Sequence, residues 1–258
     1  MLQRIKVGTG ETIRDIAVLA REGAGPPVVW LGGFRSDMRS TKAGFLDGWA
    51  ERAGRALVRF DYAGHGESDG AFEASTISLW LEDTLAVLDR FAPDRPVLVG
   101  SSMGGWLALL ASRALLAAGP ARAPAGLVLI APAVDFTERL MWDEFPEEVR
   151  QAILRDGAWR RPSPYSDEPY PITRALIEDG RRHLMLGGPI ATGCPVHILQ
   201  GMRDPDVPWG HAMELVEHLP GDDVSVTLIK DGDHRLSRPE DLERLVAAIE
   251  GIGRAGAA

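Results

Sequence analysis

Pro96-Val97-Leu98-Val99-Gly100-Ser101-Ser102-Met103-Gly104-Gly105-Trp106 decides how this chain is read. A short apolar run, Val97 to Val99, stops at a glycine, and an apolar helical segment opens a few residues later. A serine between Gly100 and Gly104 at that junction sits on a sharp strand-to-helix turn. The turn lifts its hydroxyl clear of the sheet, and only small neighbours let the backbone bend so tightly. Ser102 is therefore a candidate nucleophile. Ser101 is not, because no glycine precedes it at the required spacing.

Outward from this turn, short apolar strands alternate with helical periodicity. Ile5–Val7 and Ile13–Leu19 read as an antiparallel pair that Pro26-Pro27 ends. Val28–Leu31, Ala56–Phe60, Val97–Val99, Leu127–Ile130, Val196–Leu199 and Val224–Ile229 read as buried strands. Trp80, Thr84, Val87, Leu88 and Phe91 recur at helical spacing over 78–91. Trp106 to Ala118 is apolar nearly all round, as a central helix is. A helix carries Ala212, Leu215, Val216 and Leu219, and Pro239 opens the last one. The pattern predicts an α/β fold: a mostly parallel central sheet with helices on both faces. Between about 135 and 189 no buried-strand run occurs. Charges, prolines and the aromatics Trp142, Phe145, Trp159, Tyr165 and Tyr170 dominate, with helix-like pieces at 146–156 and 171–185. We expect one domain over 1–258 with a small helical cap inserted there, without strands of its own, over the carboxyl edge of the sheet.

Composition narrows the function. The chain has 258 residues, 45% hydrophobic and 25% charged, enough for one substantial core. A net charge of −9 argues against a nucleic-acid partner. No apolar run approaches the roughly 18 residues of a membrane span. Met1–Arg14 is polar and charged, without the apolar core of a secretory signal. Cys194 is the only cysteine, so an intrachain disulfide is impossible, and a reducing cytoplasm fits. We expect neither metal nor cofactor, and a small-molecule or acylated substrate.

A serine hydroxyl needs a base, and the base needs a carboxylate to orient it. In this kind of fold they follow in the order serine, acid, histidine, each after a strand. His234, in Lys230-Asp231-Gly232-Asp233-His234, follows the last strand and precedes the last helix, where the base belongs. His197 falls inside a strand, while His211 and His218 lie on a helix, where solvation is the default role. For the acid, Gln200-Gly201-Met202-Arg203-Asp204-Pro205-Asp206-Val207-Pro208 offers two aspartates. Asp204 is favoured because it is nearer the strand end. Asp206 suits a turn, and Asp231 and Asp233 are further competitors beside the histidine. The oxyanion of an acyl-transfer intermediate needs two backbone donors. Met103, at the positive end of its helix, supplies one, and Phe34 in Leu31-Gly32-Gly33-Phe34 is the candidate for the other. In Asp61-Tyr62-Ala63-Gly64-His65-Gly66-Glu67-Ser68 a structural role is preferred, Asp61 bonding loop amides. Arg235, Trp142, Trp159 and Tyr165 are candidates for substrate contact.

With these pieces in order, from about Pro27 to Ile249, the chain resembles the α/β-hydrolase fold superfamily. Leu31–Phe34, Arg59-Phe60-Asp61-Tyr62, Gly100–Trp106, Gly201–Asp204 and Asp233-His234-Arg235 are similar to the mitochondrial abhydrolase branch of palmitoyl-protein thioesterases, which also cleaves acyl glucuronides. So are Trp159 to Ser166 and the helix ending in His183-Leu184. The resemblance implies serine hydrolysis of esters or thioesters of acyl groups. Gly32 departs from the His-Gly that many relatives of this architecture carry, although backbone donation does not need that histidine. Without a visible transit segment, a bacterial relative is expected. A peptidase or lyase using the same three residues, or a non-catalytic receptor of the same fold, are the rival readings.

Overall fold

The computed structural model describes residues 1–162, 169–220 and 223–255, the last three by backbone alone. Eight strands form one sheet in the order β1-β2-β4-β3-β5-β6-β9-β10. They are β1 (Leu2–Val7), β2 (Arg14–Arg21), β3 (Ala24–Leu31), β4 (Arg55–Phe60), β5 (Val97–Ser101), β6 (Gly126–Ile130), β9 (Val196–Gly201) and β10 (Val224–Ile229). β1 and β2 pair antiparallel, as does β2 with β4, and every later pairing is parallel. Alternate side chains of the central strands feed opposite layers. Val29, Leu31, Leu98, Leu127 and Leu129 pack beneath α2 (Ile77–Phe91), α3 (Met103–Ala117) and α6 (Trp209–His218). Val28, Trp30, Val97, Val99, Val128 and Ile130 pack beneath α1 (Thr41–Ala53) and α7 (Pro239–Ala255). Strands buried on both faces read as continuous apolar runs, which is why periodicity found them.

α3 is buried at every position from Met103 to Ser112. Its leucines lie in close-packed surroundings, where truncation to alanine costs about 2–5 kcal/mol each. α1 is absent from the sequence reading. Gly44 and Gly48 dilute its helical signal, yet Ala43, Leu46, Trp49 and Ala50 bury a stripe, and Gly54 ends it at φ 62°. β3 runs through Pro26-Pro27 instead of starting after them. The prolines occupy a shift in the pairing with β4 between Ala24 and Val28, where their missing amides leave no gap in the ladder.

Between β6 and β9 lie a π-helical turn (Thr137–Trp142), α4 (Glu147–Asp156), β7 (Ala158–Arg161), β8 (Tyr170–Thr173), α5 (Arg174–Gly180) and a 3-10 turn (Arg181–His183). The expectation of a strandless segment is wrong, because β7 and β8 form an antiparallel hairpin. Each strand has four residues, and arginine and proline interrupt any apolar run, so no pattern announced them. Helix α5 accordingly starts at Arg174, with the first residues of the expected 171–185 helix serving as strand. No described helix is long and apolar enough to cross a membrane.

Candidate active site

The turn after β5 is built as its glycines require. Ser102 has φ 55° and ψ −118°, a conformation rare outside glycine. Its amide donates to Ile130 O at 2.8 Å, and its carbonyl accepts from Gly105 at 2.9 Å and Ala133 at 3.1 Å. A Cβ on Gly100 would stand 2.3 Å from Gly104 O, and one on Gly104 2.1 Å from Leu31 O. Both positions exclude a side chain. Ser101 is buried, whereas Ser102 is half-buried at the end of the strand. Met103 opens α3, and the first amides of a helix lack acceptors within it.

The loop after β3 lies against this turn. A Cβ on Gly33 would be 3.4 Å from Ser102 Cβ and 3.3 Å from Ser101 O. Gly33 to Ser36 form a turn closed by Ser36 N–H to Gly33 O at 3.0 Å. Phe34 anchors it with a ring that meets Phe72, Trp80, Phe136 and Tyr170 at 5.0–5.9 Å. Asp61 accepts the Met38 amide at 2.7 Å and the Glu67 amide at 2.8 Å, tying the two loops together as the sequence reading anticipated. Burial raises its carboxyl above the usual range, against the pull of those amides.

At the ends of β9 and β10 the acid and the histidine meet. His234 Nδ1 is 2.8 Å from Asp204 Oδ2. The Asp204 side chain has no exposed surface, and its Oδ1 accepts the amides of Asp206 and Val207 at 2.8 and 2.9 Å. Of the competing acids, Asp206 is exposed, Asp231 pairs with Arg238, and Asp233 accepts the Leu236 amide. The two loops are packed without clearance, since a Cβ on Gly201 would stand 2.5 Å from Gly232 O. Asp204, Asp206 and His234 offer ligand atoms within 4.8 Å of one another and are the described group nearest to a metal-binding set. Both oxygens of Asp204 already accept hydrogen bonds, which suits orienting an imidazole more than holding an ion.

The remaining histidines do other work. His211 is buried and His218 half-buried. His211 is 7% exposed with Nε2 2.9 Å from Val134 O, and His218 Nδ1 lies 3.1 Å from Gly188 O. Each ring reaches back to a carbonyl in the segment between β6 and β9, a long-range contact that helix position alone does not reveal. His197 Nε2 meets Thr227 Oγ1 at 2.9 Å across β9 and β10.

A model of the alpha/beta hydrolase family matches residues 18–248. The chain belongs to that family. It is 35% identical over 239 residues to the mitochondrial palmitoyl-protein thioesterase ABHD10 of Homo sapiens, covering 92% of this chain and 76% of that protein. The solved structure of an Agrobacterium vitis S4 protein superposes with a TM-score of 0.94 at 52% identity over 98% of both chains. That of alpha/beta hydrolase domain-containing protein 10 from mouse gives 0.86 at 32%, again over 98% of both. This alpha/beta hydrolase thus falls in the thioesterase-like branch that its motifs resemble.

Of the candidates for substrate contact, Arg235, Trp142 and Trp159 fall within the described residues. Arg235 is exposed, and its carbonyl accepts from Lys42 Nζ. Trp142 lies under the Arg181 guanidinium at 4.8 Å, and Trp159 packs on Phe145 at 5.4 Å within the segment between β6 and β9. Tyr165 is outside the described residues. A cavity of about 310 Å³ opens between the Phe34 loop and the β7–β8 hairpin, lined among others by Arg35, His65, Phe72, Glu73, Arg160 and Tyr170. Neither Ser102 nor His234 is among its lining residues.

The sequence assigns Lys42 no role and groups Tyr170 only with the aromatics of residues 135–189. Lys42, from α1, holds the loop of His234 through the Arg235 carbonyl, and burial lowers its ammonium pKa to about 8. Lysine is scarce in a chain whose basic residues are nearly all arginine, a signal that could have singled it out. Tyr170, from the hairpin, touches both the Phe34 ring and the Arg35 guanidinium.

Proposed function

We propose that the chain is a serine hydrolase of acyl esters or thioesters, working through Ser102, His234 and Asp204. His234 takes the Ser102 proton as the oxygen attacks the acyl carbonyl. The amides of Met103 and Phe34 stabilise the oxyanion. The tetrahedral intermediate collapses, and His234 protonates the departing alcohol or thiol. Water activated by the same imidazole then attacks the acyl-enzyme, expels Ser102 and releases the acid. Asp204 keeps the proton on His234 Nδ1, leaving Nε2 as the base.

The observation that carries this reading is the 2.8 Å contact between His234 Nδ1 and a fully buried carboxylate. A surface histidine has no need of such a partner, and this one stands beyond the same sheet edge as the turn of Ser102. Similarity to a palmitoyl-protein thioesterase supports acyl groups as the substrate class.

The test combines a fluorophosphonate probe with p-nitrophenyl esters of rising chain length, an acyl-CoA and an acyl glucuronide. Wild type should label at Ser102 and turn over esters, and Ser102→Ala should lose label and about 10⁴-fold of turnover. Ester hydrolysis near the wild-type rate in that variant would refute the assignment. Failure of wild type to label would favour a non-catalytic receptor. A preference for chains of two to four carbons would move the substrate away from long acyl groups.

A further inference from the structure

His65 has a geometry that the proposed mechanism leaves unused. It is 5% exposed, and its ring is boxed in by Tyr62, Phe72 and Trp80 at centroid distances of 5.3–5.7 Å. Nε2 lies 3.1 Å from the Arg35 amide nitrogen, and Nδ1 lies 3.2 Å from Ala63 O. A backbone amide can only donate, so Nε2 must be the acceptor. A carbonyl can only accept, so the proton sits on Nδ1. Burial agrees with a neutral ring, lowering its pKa to about 4.

The amide it receives belongs to an unusual residue. Arg35 has φ 59° at the third position of the Gly33–Ser36 turn, where a positive φ normally calls for glycine. A non-glycine residue there persists only if its surroundings impose it. The Arg35 side chain is held from the other side, its guanidinium 4.7 Å above the Tyr170 ring. Residue 34, the candidate oxyanion donor, is the second position of the same turn. Gly33, the first, lies beside Ser102, where a Cβ would be 3.4 Å from the serine Cβ.

We infer that His65 is a positioning residue for the reaction: by accepting the Arg35 amide it holds the Gly33–Ser36 turn in the form that aims the Phe34 amide at the oxyanion. The inference rests on the proposed use of that amide. It gives the Gly64-His65-Gly66 sequence a part in transition-state stabilisation without any contact with substrate.

Two substitutions separate the acceptor from the ring. His65→Gln can place an oxygen where Nε2 stands. His65→Asn reaches only as far as Nδ1 and leaves the Arg35 amide without its partner. On a p-nitrophenyl ester, His65→Asn should lower kcat about 10- to 100-fold with KM within twofold, because the oxyanion exists only beyond the ground state. Its affinity for a boronic acid that forms a tetrahedral adduct should fall by a similar factor. His65→Gln should stay within about threefold of wild type. Adding Arg35→Gly to His65→Asn should restore much of the loss, since glycine takes the positive φ unaided.

Wild-type kcat in His65→Asn, or equal losses in both single variants, would overturn the inference. So would a rise in KM with kcat unchanged. If His65→Asn does not fold, hydrogen exchange on wild type decides: the Arg35 amide should be as protected as that of Met38, and fast exchange there overturns the inference. Ser102→Ala run alongside separates the two claims. An active Ser102→Ala enzyme removes the mechanism itself, whereas a dead one beside an active His65→Asn removes only the role of His65.

Discussion

His234 Nδ1 and Asp204 Oδ2 stand 2.8 Å apart, and the other oxygen of Asp204 is held by the amides of Asp206 and Val207. The carboxylate therefore cannot rotate without giving up two backbone bonds. Asp204→Asn must put an amide NH₂ against either the imidazole or those amides. We expect kcat to fall about 10³- to 10⁴-fold with the fold retained. Asp206 enters the contact through its backbone, so Asp206→Asn should stay within a few-fold of wild type. Steady-state kinetics on one ester checks both, and a larger loss in Asp206→Asn would transfer the acid's role to it.

Glycines of this chain differ sharply in what they tolerate. A Cβ on Gly104 would overlap Leu31 O at 2.1 Å, while one on Gly210, inside α6, meets nothing within 4 Å. Gly104→Ala should lose at least about 3 kcal/mol or fail to fold, and Gly210→Ala should gain up to about 1 kcal/mol. Thermal melts of the two variants give opposite signs if the turn is built as described.

Acid should destabilise the protein partly through His65. Its folded pKa, about 4, lies below the ordinary value of 6.5 because burial disfavours the cation. Between pH 6.5 and 4 the unfolded chain binds a proton that the folded one refuses. Stability is thus lost as pH falls through that window, by up to about 3 kcal/mol from this group. Burial shifts His211 the same way. In His65→Gln the first contribution is absent, so urea midpoints at pH 7 and pH 4.5 should differ less than in wild type.

The segment between β6 and β9 is fastened to α2 by Asp179. One of its oxygens accepts the Ser78 amide and the other the Ser78 hydroxyl, both at 2.7 Å, and His183 Nε2 approaches the same hydroxyl at 2.7 Å. Asp179→Ala removes two acceptors at the start of a helix, where free amides favour an anion. Trypsin should then cleave at the arginines of that segment several-fold faster, with the sheet resisting as before. Unchanged cleavage would show that the fastening lies elsewhere.

What could be read before any coordinates follows from burial on two faces. The parallel strands and α3 announced themselves because both of their surroundings are apolar. The proposed order Ser102, Asp204, His234 could be written down because each follows a recognisable strand. α1 was not, since Gly44 and Gly48 interrupt the stripe that Leu46 and Trp49 bury. The β7–β8 hairpin escaped because Arg160, Arg161 and Pro171 fill strands of four residues. The link from His65 to Arg35 spans 30 residues and depends on one ring nitrogen, which no local pattern encodes.

The backbone of Ser102, at φ 55° and ψ −118°, has a consequence for how this protein could change. A side chain at that point sets the conformation back by about 1 kcal/mol or more, and glycine would not. Ser102→Gly should therefore be inert as a hydrolase and more resistant to heat than wild type. On the proposed mechanism, the hydroxyl at the tip of β5 is kept there by the reaction and against the preference of the backbone.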